Sequence, residues 1–120
     1  DYQVTGIDGV DYTHQTFEGY KLILVFYTTE ADTEYIGEIK ALAENSKADP
    51  MILTSAGESA FENFRHEHQL AVPFYLTDAT VLKAMIRSNP GVMLLKNGIV
   101  LGKWHYNDVP SVDEINQIIG

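Results

Sequence analysis

The side chains that could do chemistry in this chain fall in two short stretches. Glu30, Asp32 and Glu34 place three carboxylates close together, and Asn89-Pro90 and His105-Tyr106 bracket an apolar segment rich in turn residues. Acids at this spacing suit a solvated helix start, where the helix dipole favours each by ~0.3–1 kcal/mol, or contact with a cation or a basic partner. A histidine such as His105 can serve as a base or a ligand. Other chemistries are disfavoured by spacing. His66 and His68 stand two apart and do not share a helix face, His14 is remote, and there is no cysteine, so a tetrahedral zinc cage does not assemble. Ser55, Ser88 and Ser111 have no nucleophile-elbow context. Gly6-x-x-Gly9 is not a phosphate loop. No cofactor or catalytic residue is expected.

Composition bounds the rest. A chain of 120 residues with 45% hydrophobic content is one domain, 1–120, able to bury its own core without a disulfide or metal staple. Eight basic against 17 acidic residues give a formal charge of −9, which repels phosphate backbones and anionic lipid. Neither nucleic-acid binding nor direct lipid binding is expected. No apolar run approaches the ~20 residues of a membrane span, and no signal peptide is visible. The chain begins at Asp1 rather than Met, as expected of a processed product or an excised domain.

The elements that must position these residues are legible from pattern. Val92–Leu95 and Ile99–Leu101 flank Asn97-Gly98, the favoured pair for a two-residue type I′ turn. A β-hairpin follows, with residue 96 expected opposite 99, 91 opposite 104, and 90 opposite 105. A proline opening a strand after a polar residue, as Pro90 does, is a place where a cis peptide is tolerable, and the Asn89–Pro90 peptide is expected to be cis. Upstream, Lys21–Tyr27 is a continuous apolar run suited to a strand buried on both faces. Ile36, Ile39, Leu42 and Ala43 share one face of a helix expected over 33–47, and Met51–Thr54 is a second strand. Strand, helix and strand of these lengths form a βαβ unit with parallel strands.

Ser55-x-x-Glu58 and Ser111-x-x-Glu114 have the form of capping boxes. They announce a helix over 58–68 burying Phe61 and Phe64, and a final helix with Val112, Ile115, Ile118 and Ile119 inward. Pro73–Leu76 is a short extended segment with a trans proline, and Asp78 is an N-cap for a helix carrying Val81, Leu82, Met85 and Ile86. Val4–Ile7 and Tyr12–Phe17 are candidate short strands near the start.

The order β-α-β-α-(β)-α-β-β-α, with Pro90, the hydrophobic run, Lys96-Asn97-Gly98 and Gly102-Lys103-Trp104, resembles the thioredoxin fold in its redoxin branch. That resemblance implies a three-layer α/β/α sandwich with a central mixed sheet, and a C-terminal hairpin followed by a helix. The lead-in Asp8–Lys21 and the segment Val72–Asp78 resemble the same branch. A narrower resemblance rests on Leu53–Glu58, Phe61–Arg65, Leu82–Gly91 and Trp104-His105-x-Asn107-Asp108. These are similar to the soluble C-terminal domain of bacterial DoxX-type membrane proteins. It implies a membrane-embedded half of the same chain and a membrane-tethered location, periplasmic rather than cytoplasmic.

The family's redox pair sits in an aromatic-x-x-x-Cys-x-x-Cys pattern where the first buried strand meets its helix. Here that span is Tyr27-Thr28-Thr29-Glu30-Ala31-Asp32-Thr33-Glu34, with Ala31 and Glu34 at the cysteine positions. Disulfide exchange needs an attacking thiolate and a leaving thiol, and neither residue has one. The same loss excludes thiol peroxidase action. The expected role is therefore a non-catalytic accessory or recognition module with a protein or peptide partner. The candidate surface is Glu30, Ala31, Glu34, Asn89, Pro90, His105 and Tyr106, at the sheet's C-terminal edge, where open α/β sheets generally bind ligands. The alternative is part of a redox system whose thiols come from another domain or chain.

Overall fold

The computed structural model describes all residues, 1–120. Five strands form one sheet in the order β3-β2-β1-β4-β5. They are β1 (Tyr20–Phe26), β2 (Asp49–Thr54), β3 (Phe74–Leu76), β4 (Gly91–Lys96) and β5 (Ile99–His105). The helices are α1 (Ile36–Asn45), α2 (Glu58–Glu67), α3 (Ala79–Met85) and α4 (Val112–Ile119). β1 runs parallel to β2 and antiparallel to β4, and β2 runs parallel to β3. The sheet is therefore mixed.

β1 lies at the centre because its sequence suits no other place. Leu22 through Phe26 are all fully buried, and alternate residues serve opposite faces. Leu22, Leu24 and Phe26 pack with Ile39 and Leu42 of α1, Phe61 and Phe64 of α2, and Ile115 of α4. Ile23 and Val25 pack with Val4, Met51, Met93 and Leu95 and with Leu82 and Ile86 at α3. Helices thus cover both faces, giving three layers.

Asn97 and Gly98 have φ of 48° and 83°, the positive pair of the type I′ turn. The Asn89–Pro90 peptide is cis, and Pro73 is trans. Asp78 caps α3 by accepting from the amides of Thr80 and Val81. Ser111 and Glu114 form the capping box of α4.

Several expectations are corrected. The hairpin register holds for Lys96 opposite Ile99 and Leu95 opposite Val100, then shifts by one, so that His105 lies opposite Gly91 rather than residue 90. A β-bulge leaves Leu101 unpaired, and Gly102 follows it. The Trp104 indole lies over Gly102, where a Cβ would fall inside its contact distance. Ser55 does not cap α2. The cap is Gly57, without a side-chain bond, because Ser55 Oγ instead donates to the Tyr27 carbonyl at 2.6 Å. Tyr12–Phe17 is not a strand: Thr13–Phe17 is a 3₁₀ helix. Val4–Ile7 contributes only isolated bridges from Thr5 to Asp11 and Leu76. Ile118 is 45% exposed rather than inward, since Ile115 takes the central position on α4. The helix expected from residue 33 starts three residues later, at Ile36.

Candidate functional site

The site forms where β1, β4 and β5 end together, and Tyr27 holds it in place. Its N–H donates to Asn89 Oδ1 at 2.9 Å. Its phenol oxygen accepts from the Ser88 N–H at 3.0 Å. Its carbonyl accepts from both Ser55 Oγ and the Ser55 N–H. One residue beyond β1 thus ties the loop before Pro90 to the end of β2. Asn89 Nδ2 adds a 3.3 Å bond to Thr28 Oγ1, and the Asn89 carbonyl accepts from the Asp32 N–H at 2.9 Å. Ser88 Oγ donates to the Pro90 carbonyl and accepts from the Tyr106 N–H. Apart from the Asn89–Thr28 side-chain bond, each satisfies a main-chain group that would otherwise be left unpaired near the core.

Residues 31–33 are irregular and Glu34-Tyr35 form a turn ahead of α1. Glu34 N–H donates to Asp32 Oδ1 at 2.9 Å, and Glu30 N–H donates to Thr28 Oγ1 at 3.1 Å. Both are local side-chain-to-main-chain bonds within the loop, and the regular helix begins only at Ile36. The three acids therefore do not sit at a helix start, and the acid in the first turn of α1 is Glu38.

The structure places the candidate residues as follows. Ala31 is half-buried against the core on the α1 side. Glu30 and Glu34 are exposed, Asn89 is half-buried, Pro90 is buried, His105 is exposed and Tyr106 is half-buried. Tyr106 packs between two rings, with centroids 4.2 Å from His105 and 6.3 Å from Tyr35. Its phenol is held above the ordinary range first by the negative charge of Asp32, then by desolvation and by the charge of Glu34. Tyr35 is raised likewise, first by the charge of Glu34. The loop at 32–34 and the end of β5 are therefore neighbours. His105 Nδ1 lies 2.7 Å from Asn107 Oδ1.

Pattern reading missed the residues that assemble this corner: Tyr27, Ser88 and Tyr35. The signal available was the run Ser88-Asn89-Pro90, whose polar side chains precede a proline unable to donate. It also missed Lys83 and Arg87, which line a cleft of about 520 Å³ on the α3 side with Tyr27, Ser88, Asn89 and His105.

Chemically, the corner contains acids, phenols, amides and an imidazole, but no thiol. No group of three or more His, Asp or Glu side chains is arranged to hold a metal ion. No helix is long and apolar enough to cross a membrane.

No protein-family model matches the chain, and no curated protein sequence matches it. Solved structures do match. A thiol peroxidase from Chromobacterium violaceum aligns at 16% identity and TM-score 0.63, covering 99% of this chain and 84% of that one. A secreted Mycobacterium tuberculosis disulfide oxidoreductase aligns at 12% identity and TM-score 0.65, covering 98% and 92%. A thioredoxin-like protein from Aeropyrum pernix aligns at 12% identity and TM-score 0.68, covering 98% and 86%. At such identities the likeness speaks to architecture alone, and with the mixed five-stranded sheet it shows that this chain is a cysteine-free domain of the thioredoxin-like fold.

Proposed function

We propose that this domain is a non-catalytic recognition or accessory module that docks a polypeptide partner at the corner formed by residues 30–34, 89–90 and 105–106. The observation that carries this reading is the corner itself. The fold shared with a thiol peroxidase and a disulfide oxidoreductase here carries Ala31 and Glu34 and no cysteine, while an aromatic row of Tyr35, Tyr106 and His105 lines the same sheet end. Aromatic side chains beside polar groups are the usual anchors of protein contacts. Contact need not follow the main chain along Asn89–Pro90. The Asn89 carbonyl is already used by Asp32, so the side chains carry more of the recognition. Affinity is expected to be modest, since so small a surface buries well under the ~1,200 Å² of a stable interface.

The same proposal places the domain as the soluble part of a DoxX-type membrane protein, tethered on the periplasmic side. It rests on the sequence resemblance at Leu82–Gly91 and Trp104–Asp108. The test is site-specific photo-crosslinking in the cell of origin, with the photoreactive residue at 106 or, as control, at exposed Glu44. A polypeptide adduct formed from 106 and not from 44 supports the reading. Equal labelling from both, or none from 106, overturns it.

A further inference from the structure

One cleft on this acidic protein is lined by cations with no acid among its lining residues. Lys83 on α3 and Arg87 just beyond it are four residues apart, exposed, and make no ion pair or hydrogen bond. Lys21, by contrast, pairs with Asp49, and Arg65 with Glu62. His105 reaches the same cleft from β5, and Tyr27 lines its wall. β5 presents alternate residues to one side, and Lys103, two before His105, also turns to α3, where its Nζ donates to the Met85 carbonyl at 2.7 Å. Three donors in the cleft are uncommitted. The Lys83 ammonium and Arg87 guanidinium have no partner, and Tyr27 Oη uses a lone pair on the Ser88 N–H, which leaves its own hydrogen free. In a chain of formal charge −9, a local concentration of unpaired cations beside an aromatic row is an attractive site for an anion.

We infer that this cleft between α3 and the end of the hairpin is a carboxylate-binding subsite. It takes an acidic group of a peptide docked at the corner described above. The inference rests on that docking reading for the identity of the ligand, and on the cleft itself for its charge. Guanidinium and ammonium donors hold carboxylates through short charge-assisted bonds. A single negative charge meets less repulsion from the surrounding acids than a phosphate dianion would, which favours a carboxylate. The carboxylate belongs either to an Asp or Glu side chain or to a peptide C-terminus, and both offer the same two oxygens.

The experiment is an amide and side-chain chemical-shift titration of the 120-residue chain with four probes. These are a short peptide with one internal Asp and an amidated end, a neutral peptide with a free C-terminal carboxylate, a neutral amidated peptide, and inorganic phosphate. Saturable shifts at Lys83, Arg87, Ser88 and His105 are expected with one or both carboxylate peptides, and the stronger of the two identifies the source. Lys83→Gln and Arg87→Gln, both exposed changes that leave the core untouched, should each weaken binding by about fivefold. Added salt should weaken it as well. Equal binding of the neutral amidated peptide, tighter binding of phosphate than of carboxylate, or indifference to both substitutions would overturn the subsite. Shifts confined to residues 30–34, 89 and 106 would also overturn it, yet leave the docking corner standing. Loss of the residue-106 crosslink with these shifts intact would do the reverse.

Discussion

The backbone N–H of Asp32 donates to the carbonyl of Asn89 at 2.9 Å, joining two loops far apart in sequence. This bond decides how open the corner is. An extended peptide laid along Asn89–Pro90 would ordinarily exploit the main-chain groups of the residue before the proline. Here one of those groups is already taken by the turn that precedes α1. The corner is therefore closed on the backbone side and open on the side-chain side, where Tyr106, His105 and the acids stand.

Asn89 should be the residue on which this closure depends. Asn89→Ala removes the acceptor of the half-buried Tyr27 N–H and is expected to cost ~1–3 kcal/mol, the penalty for stranding a buried donor. Asn89→Asp keeps that acceptor and loses only the 3.3 Å donor bond to Thr28, so it should cost clearly less. Denaturant midpoints of the three proteins check the order, and amide exchange at residues 27–32 should quicken in the alanine variant.

The two serines with identical cap-box spacing should behave differently. Ser111→Ala removes a true cap, with both reciprocal bonds present, and should cost ~1 kcal/mol with faster exchange in α4. Ser55→Ala removes a bond to the Tyr27 carbonyl that the Ser55 N–H also satisfies, so ~0.5–1.5 kcal/mol is expected. Exchange in the first turn of α2 should not change. Faster exchange there would mean that Ser55 caps the helix after all.

That contrast shows where the sequence is informative. Local bonds that compete only with water, such as Asp78 on Thr80 and Val81, follow the pattern. So do long apolar runs such as Leu22–Phe26, because burial on both sheet faces leaves a strand few other residue choices. Ser55 departs because a tertiary acceptor, Tyr27, outcompetes its own helix. Residues 33–35 depart too: Asp32 holds the Glu34 amide in a local bond, and the regular helix begins only at Ile36. The corner was legible in part. Asn89, Pro90 and Tyr106 could be placed by hairpin pairing, but the bulge at Leu101 moved the register by one residue. Gly102 carried that signal, since glycine within a strand often marks a bulge. Tyr27 and Ser88 could not be read, because their bonds span 61 residues.

Gly102 has a direct test. A side chain there would collide with the Trp104 indole. Gly102→Ala should therefore displace the ring and cost ~1–3 kcal/mol, the usual penalty of overpacking. Trp104 is the only tryptophan, so its fluorescence reports the displacement without interference. An emission spectrum unchanged from the parent would contradict the packing of the indole over Gly102.

Thiol chemistry should be absent from this domain acting alone. With no cysteine in the chain, insulin disulfides should not be reduced and hydrogen peroxide should not be consumed above the protein-free control. Turnover with the purified chain would refute the non-catalytic reading. Turnover that appears only on adding a cysteine-bearing partner would instead favour a redox assembly with thiols supplied from outside.

The last prediction follows the protons at the corner. The Tyr106 phenol is raised first by the charge of Asp32, and Tyr35 first by that of Glu34. A phenol with a raised folded-state value is held as the neutral form more tightly by the folded protein than by the unfolded chain. Its contribution to stability is fully present below the unfolded value of about 10, and is lost as pH rises through the higher folded value. At neutral pH the corner therefore holds a neutral Tyr106 beside Asp32, and strong alkali should loosen it. The chain has seven tyrosines, so tyrosinate absorbance is best read as the difference between the parent and Tyr106→Phe. The same difference taken in an Asp32→Asn background should titrate at lower pH. Asparagine keeps the side-chain oxygen that accepts from the Glu34 amide and leaves the main-chain bond to Asn89 in place. The shift then reports the lost charge rather than a rebuilt loop. A midpoint for Tyr106 that does not move on Asp32→Asn would mean that the two side chains are not in contact, and the ring row would need another explanation.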